Sequence, residues 1–340
     1  MNKVLVTGAT SFLGYHVAQR LNEQGVRPRV LELRESNLDP LAQLDVDRFE
    51  GHFEDPQALE AACADIDTVL HLAFKVSVGG GTEIVEEMRQ VNVVGTQRLL
   101  DAAAAKGVAR VVVTSSALAV GVNRRPEPLD ETANWTEHAF DMPYAVSRRH
   151  AEQEALAKAK PGFAVIVVCP AFTLGPQDPV GAPANKLLKA LISGKLPFTL
   201  PVGFGCLDVR DFANGMVLAA QHGHSGKRYL LSGHNVTTNQ LLEQAAAIAG
   251  VRAPRFSPPK PLVELTATAV EKISRLRGTP APITRSVVQI IGRYAWYDTT
   301  RARSELGFQP RPLRQTLEDT IRWLREEGSE SNPKAGTPVS

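Results

Sequence analysis

"KVLVTGATSFLG", residues 3–14, joins a short apolar run to a glycine-containing turn and then to a helical pattern. The run KVLVT shows no polar alternation, which is typical of a strand buried on both faces of a sheet. After the turn, Leu13, Val17 and Leu21 recur at helical spacing, and Gly25 ends the pattern. A strand that passes through a tight turn into a helix predicts a site where backbone N–H groups face a pyrophosphate.

Short apolar runs alternate with helical stretches through the first half of the chain. After the first strand, further runs rich in Val, Ile and Leu lie at residues 29–33, 68–74, 110–116 and 163–169. Near-continuous apolar runs of this kind indicate parallel strands with helices on both faces of the sheet. We therefore predict an α/β fold with a Rossmann-type doubly wound parallel sheet.

The pattern loosens after about residue 170, where segments rich in Pro and Gly predict loops. Among them, "TTNQLLEQAAAIAG" predicts a helix in which Thr237 and Gln240 form a capping box and Gly250 is the stop. We expect this half to form a smaller C-terminal lobe over the ends of the sheet. The predicted domains are a dinucleotide-binding domain over residues 1–170, a mainly substrate-binding lobe over residues 171–327 with segments that return to the Rossmann core, and a disordered tail over residues 328–340.

Composition and charge exclude several function classes. The 340 residues are 43% hydrophobic and 22% charged, and the formal net charge of +2 favours neither nucleic acid nor an acidic membrane surface as a partner. Cys63, Cys169 and Cys206 are too few and too scattered for a disulfide framework or a zinc site, and the histidines form no metal pattern. No run approaches the ~18 apolar residues of a membrane span, and the first residues read as a strand, with no signal peptide. We expect a cytoplasmic protein without a metal site, a nucleic-acid partner or a transmembrane segment.

The first turn has Gly8, Ser11 and Gly14 at the spacing of a dinucleotide-binding turn. Ser11 stands where a middle glycine lets the backbone approach a phosphate most closely, and its hydroxyl can instead donate a hydrogen bond to that phosphate. Glu32 follows at the end of the second predicted strand, where an acidic group holds the ribose 2′-OH of NAD. Arg34 is suited to the extra phosphate of NADP, so NADP is the alternative. We expect NAD as the cofactor.

Tyr144 and Arg148 form a second candidate site, within "DMPYAVSRRHAEQEAL", residues 141–156. Pro143 suits the first position of a helix, and residues four apart share one face of that helix. A free tyrosine has a pKa of about 10, and a fixed positive charge nearby favours the phenolate. The pair is therefore a candidate for the proton transfer that must accompany hydride transfer from an alcohol.

Short segments in a fixed order resemble the extended short-chain dehydrogenase/reductase family over roughly residues 1–325. The family patterns and their counterparts are TGxxGxxG in Thr7–Gly14 except at Ser11, HLAA in His71–Phe74, VNVxGT in Val91–Thr96, TSS in Thr114–Ser116, PYxxSK with Arg148 for lysine, NP…GP with Cys169 for asparagine, and DxSRARRELGxxPR in Asp298–Arg311. Toward the C-terminus, the chain resembles the 3β-hydroxysteroid dehydrogenase and dihydroflavonol reductase branch more than the epimerases. The resemblance implies an NAD(P)-dependent dehydrogenase or reductase and, because family members often dimerise, a homodimer.

The resemblance also implies roles for individual residues. Ser116, Tyr144 and Arg148 correspond to a Ser–Tyr–Lys proton-transfer set, in which Ser116 holds the substrate oxygen and Tyr144 is the general acid/base. The residues implied in cofactor binding are Gly8, Thr10, Ser11, Phe12, Leu13, Gly14, Glu32, Arg34, His52, Phe53, Leu72, Ala73, Phe74, Asn92, Thr114, Tyr144, Arg148, Pro170 and Phe172. Those implied in substrate binding are Ser116, Phe172, Thr173 and Phe204.

Arginine at position 148 is the main departure from the family's proton-transfer set. Arg148 keeps the positive charge, and its N–H groups suit ribose hydroxyls, but arginine is longer, planar and unable to release a proton. Three outcomes remain open: activity with arginine as the electrostatic partner, a slow enzyme, or a cofactor-binding protein without turnover. The presence of both Ser116 and Tyr144 favours the first.

The substrate is inferred from "GFGCLDVRDFA", residues 203–213. Phe204 stands where sugar-nucleotide members carry a diphosphate-binding arginine, and the alignment places Arg210 on the strand itself. We therefore expect interconversion of a secondary alcohol and a ketone on a small apolar substrate, of which a sterol is one candidate. The alternatives are a nucleotide-sugar epimerase or dehydratase with bound NAD, and a non-catalytic dinucleotide-sensing protein.

A predicted helix in the C-terminal half has an apolar face formed by Leu262, Leu265, Ala269 and Ile273. Packing of this face against the lobe is the favoured interpretation. The alternatives are contact with a lipid substrate and weak contact with a membrane surface.

Overall fold

The structure is a computed structural model that describes residues 3–77, 82–133, 135, 142–267 and 285–330. Its strands, in chain order, are β1 (Val4–Thr7), β2 (Arg29–Glu32), β3 (Asp47–Glu50), β4 (Thr68–His71), β5 (Arg110–Thr114), β6 (Ala164–Pro170), β7 (Phe172–Leu174), β8 (Gly203–Asp208), β9 (Arg228–Leu231), β10 (His234–Thr237) and β11 (Tyr294–Ala295). Its helices are α1 (Phe12–Glu23), α2 (Pro56–Cys63), α3 (Thr82–Arg89), α4 (Thr96–Ala105), α5 (Pro143–Ala157), α6 (Pro183–Ile192), α7 (Val209–His222), α8 (Thr238–Ala249), α9 (Arg285–Ile290), α10 (Thr300–Leu306) and α11 (Leu313–Glu330). A π-helical turn, Gln90–Gly95, joins α3 to α4, and residues 260–267 are also helical.

The larger of two sheets is parallel, with the strand order β3-β2-β1-β4-β5-β6-β9. β1 pairs with β2 on one side and with β4 on the other, so that Val6 lies beside both Val30 and Leu70. The strand order therefore reverses beside β1, and ligands of doubly wound sheets bind at such a point, beyond the carboxyl ends of the strands. The predicted Rossmann-type fold is confirmed.

Helices cover both faces of this sheet because successive side chains of a strand point to opposite faces. Val6 of β1 packs in a cluster with Leu21 of α1 and Phe212 of α7, whereas Leu5 packs in the opposite cluster with Leu99 of α4. Burial of both faces explains why the strand sequences show no polar alternation. Each fully buried Val or Leu side chain contributes about 1.5–3 kcal/mol to this core.

A smaller sheet contains β10, β8 and β11 in that order, and β7 pairs with β8 in the same sheet. α6, α8 and α11 pack on it in a separate apolar cluster that includes Leu242 and Leu317. The capping box predicted for α8 is present between Thr237 and Gln240, and Gly250 ends the helix with φ 66°. Because β9 returns to the larger sheet, the chain crosses between the two sheets, and the predicted domain boundary at residue 170 stays a prediction.

One strand and the end of the last helix differ from the sequence-based expectations. β3 was absent from the predicted strands because Asp47–Glu50 is a mostly exposed edge strand of largely polar residues, without the apolar signal of the inner strands. The last helix continues to Glu330, into the segment predicted as a disordered tail. Residues 331–340 of that tail, and the three consecutive glycines Gly79–Gly81 after the "HLAF" segment, lie outside the described residues.

The apolar helix face predicted near residue 265 is out of register by one residue. Val263 is buried, whereas Leu262 and Leu265 are 49% and 70% exposed, so packing of these two leucines against the lobe is wrong. Ala269 and Ile273 lie outside the described residues. In the ranges given above, no helix is long and apolar enough to cross a membrane. The cytoplasmic location, the homodimer and weak contact with a membrane surface stay predictions.

Candidate functional site

The turn between β1 and α1 depends on two glycines. Gly8 has φ 71°, and a Cβ on it would lie 2.8 Å from the backbone of Ala73, which follows β4. A Cβ on Gly14 would lie 2.0 Å from the carbonyl oxygen of Gly8. Both positions therefore require glycine, because any larger residue would force the turn apart.

Ser11 closes this turn with its own side chain. Its hydroxyl donates to the carbonyl oxygen of Gly8 at 2.7 Å and accepts the N–H of Gly14 at 3.1 Å, which makes Ser11 the N-cap of α1. The hydroxyl proton is thus engaged inside the turn, and donation to a phosphate would require this bond to break. In place of a third glycine, the chain uses serine to fix the turn.

Glu32 ends β2 and lies beside the turn. The N–H of Thr10 donates to Glu32 Oε1 at 3.1 Å, and the Thr10 hydroxyl donates to Oε2 at 3.0 Å. Burial raises the pKa of Glu32, while the bonds from Thr10 act in the opposite direction. Arg34, in contrast, is 85% exposed, and its Nε donates to Glu50 at 2.6 Å. Arg34 is therefore paired with a surface carboxylate on β3.

A chain of hydrogen bonds crosses the buried region between β1 and the π-helical turn. Thr7 Oγ1 lies 2.7 Å from His71 Nδ1, and His71 Nε2 lies 2.9 Å from Thr96 Oγ1. Because the Thr96 hydroxyl donates to the carbonyl oxygen of Asn92 at 2.7 Å, it accepts the Nε2 proton of His71, which assigns the tautomer. Burial, with the charge of Arg148 as a smaller cause, lowers the pKa of His71 to about 3. His71 is therefore neutral at physiological pH.

Asn92 ties the segment after β4 to the start of α5. Its Oδ1 accepts the N–H of Lys75 at 2.8 Å, and its Nδ2 donates to the carbonyl oxygen of Lys75 at 3.0 Å and to Ser147 Oγ at 3.1 Å. Ser147 in turn donates to the carbonyl oxygen of Tyr144 at 2.9 Å. Asn92, predicted as a cofactor ligand, thus holds the backbone around the site, and its contact with a cofactor stays a prediction.

Ser116 and Tyr144 lie near each other. Tyr144 is the second residue of α5, which begins at Pro143, and its phenol is close enough to Ser116 for that side chain to influence its pKa. Burial raises the pKa of Tyr144 above its usual value, although the charge of Arg148 and the side chain of Ser116 act in the opposite direction. The predicted effect of the cation on the phenol is present, but burial outweighs it.

Arg148 lies one turn after Tyr144 and is only 1% exposed. Its Cζ lies 4.6 Å from the centre of the Phe74 ring. Within the part of the chain that the structure describes, Arg148 Nε and Nη1 have no hydrogen-bond partner, and neither has the buried hydroxyl of Thr114 at the end of β5. Buried donors without acceptors cost about 1–3 kcal/mol each, so atoms of this kind mark a place where a ligand supplies the missing bonds.

These observations test whether the predicted dinucleotide fits. The turn offers a backbone cradle that a Cβ would fill, Glu32 lies beside it, and the unpaired donors of Arg148 can bind hydroxyl oxygens such as those of ribose. The residues present therefore fit a dinucleotide.

The remaining predicted cofactor residues lie at the carboxyl edge of the same sheet. They are Phe12 and Leu13 at the start of α1, His52 and Phe53 after β3, Leu72 and Ala73 after β4, and Pro170 at the end of β6. The Phe53 ring lies 5.8 Å from that of His71, whereas the His52 side chain is largely exposed. Their contacts with a cofactor stay predictions.

A buried ion pair behind the site was not found from the sequence. Glu152, one turn beyond Arg148, accepts bonds from Arg228 at 2.7 Å and Ser115 at 2.9 Å, and lies 3.6 Å from Cys169 Sγ. This pair fastens α5 to β5, β6 and β9. The spacing of Tyr144, Arg148 and Glu152, four residues apart, was the available signal, but the partner on β9 is distant in sequence.

Three of the four predicted substrate residues, Phe172, Thr173 and Phe204, lie on β7 and β8 of the smaller sheet. Phe172 of β7 and Phe204 of β8 are stacked, with ring centres 4.5 Å apart and planes 18° apart. Thr173 donates to the carbonyl oxygen of Ala171 at 2.9 Å. Arg210 is the second residue of α7, so its placement on the strand is wrong. There it pairs with Asp208 at 2.7 Å and with Asp319 at 2.9 Å.

Comparison with known proteins defines the class. Residues 4–232 match the NAD dependent epimerase/dehydratase family, and the chain belongs to that family. Among its relatives, a protein of Synechocystis sp. with a provisional dihydroflavonol 4-reductase name is 30% identical over 327 residues, which cover 95% of this chain and 94% of that one. Sterol demethylase protein B of Methylococcus capsulatus is 30% identical over 329 residues, with 95% and 98% covered. The crystal structure of gox2253 superposes with a TM-score of 0.84 at 31% identity and covers 96% of this chain and 99% of its own.

A 3 beta-hydroxysteroid dehydrogenase/Delta 5-->4-isomerase of Mycobacterium tuberculosis is 27% identical over 325 residues. The predicted resemblance to the extended short-chain family, and to its hydroxysteroid dehydrogenase and dihydroflavonol reductase branch, is confirmed. The chain is an NAD-dependent oxidoreductase of this type, and the prediction of NAD is confirmed at the level of the family.

Proposed function

We propose that this oxidoreductase interconverts a secondary alcohol and a ketone on an apolar substrate, with Tyr144 as general acid/base. The observation that carries the proposal is the buried group of Ser116, Tyr144 and Arg148 at the carboxyl edge of the sheet, beside unpaired donors. A hydroxyl, a phenol and a fixed cation that lie this near one another suit a transfer of one proton to or from a bound oxygen.

In the oxidative direction, Ser116 holds the hydroxyl oxygen of the substrate, and the phenolate of Tyr144 accepts its proton. Arg148 stabilises that phenolate through its fixed charge. A bound NAD would supply the acceptor for the hydride of the alcohol carbon, so that a ketone is formed, and NADH would supply the hydride in the reverse direction. Reduction requires the protonated phenol, so its rate falls as Tyr144 ionises, whereas oxidation becomes faster with rising pH.

We assign the cofactor to the turn at Gly8–Gly14, with Glu32 at the adenosine ribose and Arg148 at the nicotinamide ribose. NAD is favoured over NADP because Glu32 would repel a 2′-phosphate, and because Arg34 is already paired with Glu50.

The apolar substrate is supported by the smaller sheet. Phe204 occupies the position where sugar-nucleotide members carry a diphosphate-binding arginine, and its ring stacks on that of Phe172. The nearby Arg210 is paired with Asp208 and Asp319. Relatives named for a sterol demethylase protein and for hydroxysteroid dehydrogenases are consistent with an apolar alcohol. A sterol-like ring system is one candidate substrate.

The test is a pH series of NADH and NADPH turnover on a panel of apolar ketones and alcohols, for the wild type, Tyr144→Phe and Arg148→Lys. Turnover that needs Tyr144 and prefers NADH supports the proposal. If the cofactor stays bound through purification and activity is found on nucleotide sugars only, the proposal is wrong and the protein is an epimerase or dehydratase.

A second candidate is a dinucleotide-sensing protein without turnover. It is favoured by arginine at position 148, which cannot release a proton, and by burial that raises the pKa of Tyr144. Activity that appears only in Arg148→Lys, with unchanged NADH binding in the wild type, is the result expected of such a protein.

A further inference from the structure

Phe74 lies directly against the cation of the candidate active site. Its ring centre is 4.6 Å from Arg148 Cζ, within the range of a cation–π interaction. The same ring packs against the apolar cluster that contains Met142, Tyr144 and Ala145. Phe74 therefore contacts both the guanidinium and the cluster around the phenol whose proton transfer is proposed.

Within the described ranges, the Arg148 guanidinium forms no ion pair with a carboxylate. Glu152 attracts Arg148 electrostatically, but its two oxygens are hydrogen-bonded by Arg228 and Ser115. Burial lowers the pKa of Arg148, which reflects the cost of keeping this cation away from water. A desolvated cation needs compensation, and the face of an aromatic ring supplies it.

A ring and a carboxylate hold a guanidinium in different ways. A carboxylate binds the in-plane N–H groups, whereas a ring contacts the face of the plane and leaves those N–H groups available. Among the described residues, two of the Arg148 nitrogens, Nε and Nη1, indeed have no hydrogen-bond partner. Contact with Phe74 thus fixes the charge without consuming the donors that a bound ligand needs.

We propose that Phe74 is a positioning residue that holds the Arg148 guanidinium beside Tyr144 and keeps its edge free for the hydroxyl oxygens of a dinucleotide. This inference rests on the proposed function, since it assigns Arg148 to the cofactor and to the phenol. It also explains how arginine works at this position: the delocalised cation lies over the face of an aromatic ring.

The experiment is a double-mutant cycle on NADH binding, in which the fluorescence of NADH reports binding in the absence of substrate. The variants are Phe74→Leu, Arg148→Met and the two combined, with Phe74→Tyr as the control that keeps the ring. Phe74→Leu should weaken NADH binding roughly 2- to 30-fold, Phe74→Tyr should retain it, and the Phe74 effect should disappear when Arg148 is already absent. Equal losses for Phe74→Leu with and without Arg148 would overturn the inference.

A second readout follows the ionisation of the Tyr144 phenol in the protein without cofactor, by ultraviolet absorbance against Tyr144→Phe. Phe74→Leu should move the transition upward by on the order of 0.5 pH unit, because the cation is no longer held beside the phenol. An unchanged transition together with unchanged NADH binding contradicts the role. If Phe74→Leu does not fold, Phe74→Met fills the same space without a ring and gives the same comparison.

Both readouts are made without turnover, so the two proposals fail separately. Coupling between Phe74 and Arg148 in a protein that converts no substrate would sustain the positioning role and remove the catalytic one. Turnover that depends on Tyr144, without such coupling, would do the reverse.

Discussion

The phosphate turn and the proton-transfer site differ in how their polar groups are satisfied. In the turn, the side chains of Thr10, Ser11 and Glu32 are hydrogen-bonded to one another or to the backbone. At the other site, in the described part of the chain, donors of Arg148 and the hydroxyl of Thr114 have no such partner. The turn is therefore a preformed cradle, whereas the proton-transfer site has polar groups that the described part of the protein leaves unpaired and that a ligand can pair.

The largest effect that separates the two regions is expected from Tyr144→Phe. Loss of the phenol oxygen removes the proposed general acid/base, which should lower kcat by about 10²- to 10⁴-fold. NADH binding should change little, since the turn and Arg148 remain. The measurement is kcat and NADH affinity on the same preparation.

The matched control for this variant is Tyr229→Phe. The Tyr229 hydroxyl donates to Glu305 at 2.7 Å, away from the proposed site, so its loss should spare kcat even if stability falls. A Tyr144→Phe enzyme with wild-type kcat would remove Tyr144 from the mechanism.

Gly8→Ala should break the preformed cradle. A Cβ there would lie 2.8 Å from the Ala73 backbone at φ 71°, so we expect NADH binding to weaken by at least about 10-fold and the free energy of unfolding to fall by about 1–3 kcal/mol. Gly25→Ala is the control, because Gly25 has nearly the same φ, 73°, with no atom within 4 Å of its Cβ position. If both variants lose only stability, and to the same extent, the clash at Gly8 has no role in binding.

The hydrogen-bonded chain through His71 makes stability depend on pH. Burial lowers the pKa of His71 from 6.5 to about 3, so the unfolded chain binds its proton first as the pH falls. The contribution of His71 to the free energy of unfolding is therefore fully present above about pH 6.5. It should decrease by up to about 1.4 kcal/mol per pH unit between roughly pH 6.5 and 3. Denaturant titrations at several pH values measure the slope.

His71→Gln should flatten this slope. His16 gives the comparison, because burial lowers its pKa to about 4 and its contribution is lost over a narrower range. His16→Gln should therefore reduce the slope only down to about pH 4, whereas His71→Gln reduces it down to about pH 3. A His71→Gln protein with the wild-type pH dependence would show that His71 is not neutral in the fold.

Sequence alone predicts the turn better than the proton-transfer site, for a physical reason. Gly8, Gly14 and Glu32 are set by a strand–turn–helix unit whose geometry is local, and the position of Tyr144 and Arg148 follows from helical spacing. The positions of these residues could be predicted without contacts between distant segments of the chain.

What sequence did not predict depends on packing between segments far apart in the chain. The contact of Phe74 with Arg148, and the pairing of Glu152 with Arg228, exist only once α5 lies beside the ends of β4 and β9. The edge strand β3 lacked an apolar signal, and Arg210 was misplaced because the boundary between β8 and α7 was not evident from the pattern.

The smallest effect is expected from Thr10→Val, which tests whether the bonds inside the turn matter for NADH. The variant removes the hydroxyl bond to Glu32 Oε2 but keeps the backbone bond to Oε1, so Glu32 loses part of its orientation. One such bond contributes about 0.5–1.5 kcal/mol, which corresponds to roughly 2- to 12-fold weaker NADH binding, with little change in kcat. Thr132→Val removes a similar bond to Asp130 in an exposed turn and should leave NADH binding unchanged. If Thr10→Val lowers kcat but leaves NADH binding intact, a change in the turn affects only the proton-transfer site. The two regions would then not be separate.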